Sequence, residues 1–172
     1  MCIRDRLKVL YIKTLENDFS NISDQILMWG KITGNQDSAI QLSEKFQDQI
    51  ENIQSKINYQ SESPKIFIDT TDLWTSGPNT LMGEVLELLN LSNIAHDISG
   101  YAQLNPEIII ERNPDFIITP NPSTFKNNPA FQEISAVKNN KIFTLQSDAL
   151  SVPGPRFPEG INELASLIYP DW

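Results

Sequence analysis

The stretch covering residues 100–120 constrains the fold more than any other part of the sequence. Asn105 suits a helix N-cap and Pro106 suits the first helical turn, so a helix is predicted to begin here. Asn113-Pro114-Asp115 ends that helix, because the residue before a proline disfavours helical backbone. The next residues, Phe116-Ile117-Ile118, are apolar on both faces. A strand of this kind is typical of a parallel sheet that helices cover on both sides.

Strand and helix patterns alternate from residue 65 to the carboxyl terminus. Strands are predicted at 65–69, 96–98, 116–119 and 141–145, and helices at 78–89, 106–112, 129–137 and 158–168. Such alternation predicts an α/β fold, a single Rossmann-like lobe with a mainly parallel sheet. Ligands of these folds bind beyond the carboxyl ends of the strands. The candidate ligand site therefore comprises the loops at that edge, which are 70–77, 120–128 and 146–156.

One long helical pattern, at residues 36–57, dominates the region before the sheet. Its apolar positions recur at steps of three and four, which places them on one stripe. They are Ala39, Leu42, Phe46, Ile50, Ile53 and Ile57. At 1.5 Å per residue the helix is about 33 Å long. Periodicity alone leaves open whether it is an ordinary amphipathic helix or a rod between two lobes. A polar linker follows at 58–64.

The residues before this helix are too few for a domain. A strand is predicted at 8–12, and a helix starts at Asn21 or Ser23 and stops near Gly34. Residues 1–6, Met-Cys-Ile-Arg-Asp-Arg, do not match a signal peptide, because they have no apolar core and no small-residue cleavage site. They resemble the translated adapter leader of a truncated reading frame. We therefore expect them to be artefactual and a signal peptide to be missing.

The composition excludes several function classes. A net charge of −9 over 172 residues argues against nucleic-acid binding and against attachment to anionic lipid. Cys2 is the one cysteine and His96 the one histidine, which excludes a disulfide framework and a multi-histidine metal site. No run is long and apolar enough for direct membrane insertion. Neither a nucleophile elbow nor a phosphate-binding glycine loop is present, and no catalytic acid–base pair can be identified.

Four residues are candidates for ligand or partner contacts, and each has a purely structural alternative. Trp74 follows a strand end, where an indole forms either a lid over the core or an aromatic wall for a ligand. Tyr101 is expected on a loop, as a packed surface tyrosine or a second aromatic contact. Arg156 can cap a helix, pair with an acid or meet an anionic ligand group. Glu107 lies in a first helical turn, where a carboxylate stabilises its own helix.

Six motifs occur in an order and spacing that are more specific than any one of them. They are Leu27-Met28-Trp29-Gly30-Lys31-Ile32-Thr33-Gly34-Asn35, Leu73-Trp74-Thr75-Ser76-Gly77, Val85-Leu86-Glu87-Leu88-Leu89, Asn105-Pro106-Glu107 ahead of Asn113-Pro114-Asp115, Ala136-Val137-Lys138-Asn139-Asn140-Lys141-Ile142, and Gly154-Pro155-Arg156. Together they resemble the carboxyl-terminal lobe of helical-backbone solute-binding proteins, the receptors of ABC importers for vitamin B12, haem and ferric siderophores. The sequence departs from the family at Asn90, where Gly-Gly is usual, and at Asn140, where Asn-Gly is usual. Asparagine tolerates left-handed backbone, so we expect the same fold.

The resemblance is closest to the cobalamin-binding member of that family. It implies a substrate-binding component that delivers cobalamin, or a related metal chelate, to an ABC-transporter permease, with no resident cofactor. The ligand-binding residues that it implies are Trp74, Thr75, Ser76, Tyr101, Asn121 and Arg156. It also implies that Glu107 docks on the permease. The full-length protein is expected to be extracytoplasmic, either periplasmic or anchored to the membrane.

The resemblance also divides the chain into three parts. Residues 1–35 correspond to a remnant of an amino-terminal lobe, 36–60 to the interlobe backbone helix, and 61–172 to the carboxyl-terminal ligand-binding lobe. Half of the cleft is then absent, so we expect weak ligand binding. The alternatives are an α/β enzyme, a zinc or manganese receptor, which a single histidine excludes in practice, and a free-standing partner-binding α/β domain that uses the long helix as its interface.

Overall fold

The computed structural model describes residues 19–59 and 62–172. The strand predicted at 8–12 and the leader at 1–6 lie outside the described residues. No helix among the described residues combines the length and the apolarity that a bilayer crossing requires.

Two helices form the first part of the described chain. They are α1 (Ser20–Thr33) and α2 (Gln36–Lys56), and they pack against each other. Gly34 ends α1 with a φ of 74°, a left-handed value that glycine adopts without strain. A methyl group at Gly30 would lie 2.2 Å from the Ala39 side chain, so glycine is needed where the helices approach. Both predicted helices and the predicted stop are confirmed.

The buried stripe of α2 differs from the predicted one at a single position. Ala39, Phe46, Ile50 and Ile53 are buried as predicted, and Ile57 is half-buried. The inward position predicted for Leu42 is wrong, because its side chain is 38% exposed. The buried residue at this place in the helix is Ser43. It lies four residues after Ala39 and three before Phe46, so the buried positions of α2 are spaced alternately four and three residues apart. Leu42 therefore falls beside the stripe, in a hollow between α1, α2 and the 153–155 segment.

Strands and helices alternate from Lys65 onward, as predicted. The elements are β1 (Lys65–Ile68), β2 (Trp74–Ser76), α3 (Leu81–Leu88), β3 (Ser92–Asn93), β4 (Tyr101–Gln103), α4 (Pro106–Arg112), β5 (Phe116–Ile118), α5 (Ser123–Lys126), a 3₁₀ turn (Pro129–Phe131), α6 (Ser135–Lys138), β6 (Ile142–Phe143) and α7 (Phe157–Ile168). Four of the strands form a parallel sheet in the order β3-β1-β5-β6. The other two, β2 and β4, form a separate antiparallel ribbon.

Apolar side chains cover both faces of the parallel sheet. Ile66 and Ile68 pack in one cluster with residues of α2, α3 and α7. Phe67 and Ile117 pack in a second cluster, with residues of α4, α5 and α6. All three residues of β5 are buried, which confirms the prediction of a strand that is apolar on both sides.

The prediction of a strand at 96–98 is wrong. The sheet edge is β3, in which Ser92 and Asn93 pair with Lys65 and Ile66. The chain joins the sheet almost directly after α3 ends at Leu88. The two residues that pair with β1 are therefore polar, and the more apolar residues after them lie outside the strand. His96 and the next residue are exposed.

Several other boundaries differ from the predictions. The predicted loops 70–77 and 120–128 contain β2 and α5, and Tyr101, expected on a loop, lies in β4. The helix predicted at 129–137 is split into the 3₁₀ turn and α6. The helix α3 begins later than predicted because Thr80 is its N-cap and accepts a hydrogen bond from the Gly83 N–H at 3.1 Å. Asn90 and Asn140 have φ values of 54° and 55°, which confirms the left-handed backbone expected there.

Candidate ligand-binding site

A cavity of about 580 Å³ opens at the carboxyl edge of the parallel sheet. Its floor includes Ile68, Ile118 and Thr144, which end or follow β1, β5 and β6. All three loops predicted at this edge contribute to the wall. The walls combine apolar side chains with hydroxyl groups, which are those of Thr70, Ser76, Thr119, Thr144, Ser147, Ser151 and Tyr101. An apolar pocket with a few polar groups is typical of a small-molecule site.

A buried carboxylate lies in this wall, at the residue that directly follows β1. Asp69 is 4% exposed. Its Oδ2 accepts a hydrogen bond from the Thr119 hydroxyl at 2.7 Å, and its Oδ1 accepts one from the Leu73 N–H at 2.9 Å. Burial raises the pKa of Asp69, and the two hydrogen bonds oppose that shift by stabilising the charged form. The nearby Asp72 also raises this pKa.

The turn between Asp69 and β2 has an uncommon backbone. Asp72 and Leu73 have φ values of 46° and 65°, in the left-handed region that costs energy for residues with a side chain. A hydrogen bond joins the two ends of the turn, from the Thr70 N–H to the Trp74 carbonyl at 2.8 Å. The Asp69 carboxylate accepts a hydrogen bond from the N–H of Leu73, one of the two left-handed residues. The buried carboxylate therefore fixes the point from which Trp74 and β2 begin.

The two candidate aromatic residues lie on the β2–β4 ribbon. Trp74 is 45% exposed and Tyr101 is 64% exposed. Trp74 is opposite Gln103 and Ser76 is opposite Tyr101 in the antiparallel register. Since side chains alternate along a strand, all four project from the same face, and Trp74 and Tyr101 are diagonal neighbours across the two strands. Tyr101 and Ser76 line the cavity, whereas Trp74 does not line it and lies two residues before Ser76 on β2.

Two further predicted residues do not line the cavity. Thr75 is on the opposite face of β2 from Trp74 and is buried. Its hydroxyl has no hydrogen-bond partner among the described residues. Asn121 is exposed next to Pro120, and its N–H donates to the Thr119 hydroxyl at 3.1 Å.

Arg156 and Glu107 are both at the surface. The Arg156 Nη2 lies 2.7 Å from Asp148 Oδ1, and its Nε lies 3.7 Å from Glu159 Oε2. Of the alternatives considered for Arg156, pairing with acids is therefore the arrangement that the structure contains. Glu107 is exposed in the first turn of α4, where its N–H donates to the Asn105 side chain at 3.0 Å, as predicted for this cap.

The sequence analysis missed Asp69 and the ribbon. Asp69 follows Ile66-Phe67-Ile68, and a charged residue that ends a fully apolar strand at the ligand edge was a usable signal. The ribbon gave little signal, because each of its strands has only three residues. No group of three or more His, Cys, Asp or Glu residues suited to hold a metal ion occurs within the described parts of the chain.

Residues 9–149 match the family of periplasmic binding proteins. A relative from Bacillus subtilis, the uncharacterized ABC transporter substrate-binding lipoprotein YvrC, is 33% identical over 161 aligned positions, and the match covers 89% of this chain and 51% of the relative. The cobalamin-binding protein of Halobacterium salinarum is 24% identical over 153 aligned positions, and the match covers 81% of this chain and 42% of the relative. The chain thus spans about half the length of these relatives.

A crystal structure from Staphylococcus epidermidis has a similar fold. That protein is named as a possible iron-binding (periplasmic solute-binding) protein, and it is 28% identical to this chain with a TM-score of 0.83. The similarity covers 97% of this chain and 69% of that one. The parallel sheet and its covering helices are therefore those of a known binding-protein fold.

Proposed function

Because the chain belongs to the periplasmic binding protein family, whose members are substrate-binding proteins of ABC transporters and not enzymes, we propose that it is part of an importer receptor. The receptor binds cobalamin or a related metal chelate and delivers it to the permease. The chelate is cargo, and the protein holds it without a resident cofactor. The compartment is extracytoplasmic, in line with a relative named as a lipoprotein.

The observation that carries this proposal is the pair of exposed rings beside the cavity. Trp74 and Tyr101 project from one face of a ribbon at the ligand edge of the sheet. Flat rings stack on aromatic side chains, and each such contact adds about 0.5–1.5 kcal/mol beyond the buried area. A macrocycle can cover both rings while its substituents enter the cavity. Thr75, Ser76, Asn121 and Arg156 remain predicted contacts, of which Ser76 lines the cavity.

The names of two similar proteins support a metal-containing ligand. The Halobacterium relative is named as cobalamin-binding and the Staphylococcus structure as possibly iron-binding. The ribbon offers aromatic faces rather than metal ligands, which suits a metal that arrives inside an organic chelate.

Glu107 is the proposed permease contact. It is exposed in the first turn of α4 and is held there by the Asn105 cap. A charge at the rim of an interface mainly governs encounter rate and orientation. We assign residues 61–172 to the carboxyl-terminal ligand-binding lobe, 36–60 to the helix that connects two lobes, and 1–35 to a remnant of the amino-terminal lobe.

Equilibrium dialysis against cyanocobalamin tests the proposal. We expect weak binding by this chain, because a one-sided site leaves much of the ligand in water. Trp74→Ala and Tyr101→Ala should each weaken it by about tenfold, the effect of losing one aromatic anchor. Trp29→Ala is the matched control, since Trp29 is similarly exposed, at 47%, but lies on α1. Equal loss in all three variants, or an affinity equal to that of a two-lobed relative, would contradict the proposal.

A second candidate function is a partner-binding face on α1 and α2. Trp29, Ile32, Ile40 and Leu42 are apolar side chains of these helices that remain exposed. Apolar patches of this kind often mark protein contacts. Sedimentation tests the case in which the partner is a second copy of this chain, because that case predicts self-association that Trp29→Ala reduces without any effect on cobalamin binding.

A further inference from the structure

The cavity wall has a defined charge character. Among the described residues that line it, Asp69 is the single charged one, and the others are apolar or carry hydroxyl groups. Both oxygens of Asp69 accept hydrogen bonds, as an ionised carboxylate does. The wall therefore presents one negative charge in a partly dry environment, where electrostatic interactions are stronger than in bulk water.

Nearby cations do not offset this charge. Arg156 is paired with Asp148 and Glu159 at the surface. Lys65 starts β1, and Lys141 precedes β6 and lies over the Phe116 ring, so both lysines are at the amino edge of the sheet. None of the described basic side chains of this sheet or of the last loop lines the cavity.

The first turn of α3 also borders the cavity, through Leu81 and Met82. A helix start carries a partial positive charge of about half a unit. Here the Thr80 hydroxyl accepts the Gly83 N–H, and Glu84 lies in the same turn. This partial charge is therefore smaller than the full charge of Asp69.

We infer that this face selects its ligand by charge, with Asp69 as the residue that determines the selection. It accepts a neutral or cationic chelate that presents amide and hydroxyl groups, and it rejects a chelate that presents carboxylates. The hydroxyl groups of the wall can donate to amide carbonyls and accept from amide N–H groups. A carboxylate in the same place would face Asp69 in a wall that contains no cationic side chain, and the charge of Arg156 is already paired with Asp148 and Glu159. This inference rests on the proposed function, because it assumes that the cavity receives the chelate's substituents.

A pair of corrinoids tests the inference directly. Dicyanocobinamide and dicyanocobyrinic acid share the ring, the cobalt and both cyanide ligands, but the amide substituents of the first are carboxylates in the second. Equilibrium dialysis at neutral pH, read by corrin absorbance, gives both affinities for the unmodified chain. We expect the amide form to bind at least about tenfold more tightly. Raising the ionic strength should reduce this preference, because salt screens charge repulsion.

Asp69→Asn should reduce the preference to about threefold or less, since the shape is kept and the charge is removed. Asp115→Asn is the matched control. Asp115 also accepts a backbone hydrogen bond, from Lys65 at 2.9 Å, but at the opposite edge of the same strands. This variant should keep the full preference. Ser151→Lys, at an exposed lining residue, provides a second test that leaves Asp69 in place. It should strengthen binding of the carboxylate form.

The outcomes separate the two proposals. If neither corrinoid binds, the proposed delivery of a corrinoid is wrong and this inference is wrong with it. If both bind equally, or the carboxylate form binds more tightly, the inference is wrong and the proposed function stands. A preference that persists unchanged in Asp69→Asn would show that another group sets it.

Discussion

The two edges of the central sheet carry the same kind of side chain in different surroundings. At the carboxyl edge Asp69 is buried and accepts hydrogen bonds from Leu73 and Thr119. At the amino edge Asp115 is half-buried and accepts one from the Lys65 N–H. Asp69 follows β1 and Asp115 precedes β5, and these two strands are paired. The difference therefore comes from the loops that surround each edge.

This difference shows where the fold tolerates an energetic cost. Burying a charge is unfavourable unless hydrogen bonds compensate, and left-handed backbone at non-glycine residues is unfavourable as well. At the carboxyl edge both costs coincide, in Asp69 and in the turn at Asp72 and Leu73. The cavity and the exposed aromatic residues lie at that edge too. Strain and buried charge that cluster beside a cavity are typical of a functional site.

The largest expected contrast is between alanine substitutions at the two carboxylates. Asp69→Ala leaves the buried Thr119 hydroxyl and the half-buried Leu73 N–H without their partner, so we expect a loss of about 2–4 kcal/mol in the free energy of unfolding. Asp115→Ala exposes its donor to water and should cost about 1 kcal/mol. Urea unfolding followed by circular dichroism measures both. Equal losses would mean that the two edges do not differ in the way described.

A smaller contrast concerns left-handed backbone at the two edges. Asp72→Gly should raise the free energy of unfolding by about 0.5 kcal/mol, because relief of strain slightly exceeds the added entropy of the unfolded chain. Asn113 also has a φ of 46°, but its side chain accepts the Ser135 N–H at 2.8 Å. Asn113→Gly should therefore lower stability by about 1 kcal/mol. The same unfolding assay serves, and a gain in both variants would argue against this role of Asn113.

The smallest expected effect is a pH dependence. Because burial raises the pKa of Asp69 in the folded state, the folded protein holds this proton more tightly than the unfolded chain does. The resulting stability is fully present below the ordinary value of 3.8 and is lost as the pH rises through the raised pKa. The stability of the unmodified chain minus that of Asp69→Asn should therefore increase as the pH falls towards 3.8. A difference that shrinks over this range would reverse the assigned sign.

The parallel sheet could be predicted because its signal is local and strong. Phe116-Ile117-Ile118 has no polar residue, and Asn105 with Pro106 marks the start of α4 at the observed residue. The long helix was also predicted, since steps of three and four persist over five turns. Elements of this kind are dictated by periodicity and capping, both of which are visible in one sequence.

The site was only partly predictable, because it depends on pairing between distant residues. Trp74 and Tyr101 were identified as aromatic candidates, but their shared face follows from an antiparallel register that spans 25 or more residues. The hydrogen bond from Thr119 to Asp69 joins residues 50 positions apart. Periodicity carries no information on such pairs, and it cannot reveal that Arg156 is already paired with two acids.

The central claim is that the ring face beside the cavity holds the chelate. The chain has three tryptophans, so its indole N–H groups give three distinguishable nuclear magnetic resonance signals. Addition of cyanocobalamin should shift or broaden the Trp74 indole signal and leave those of Trp29 and Trp172 in place. A response confined to Trp29 or Trp172, with Trp74 unchanged, would contradict the account.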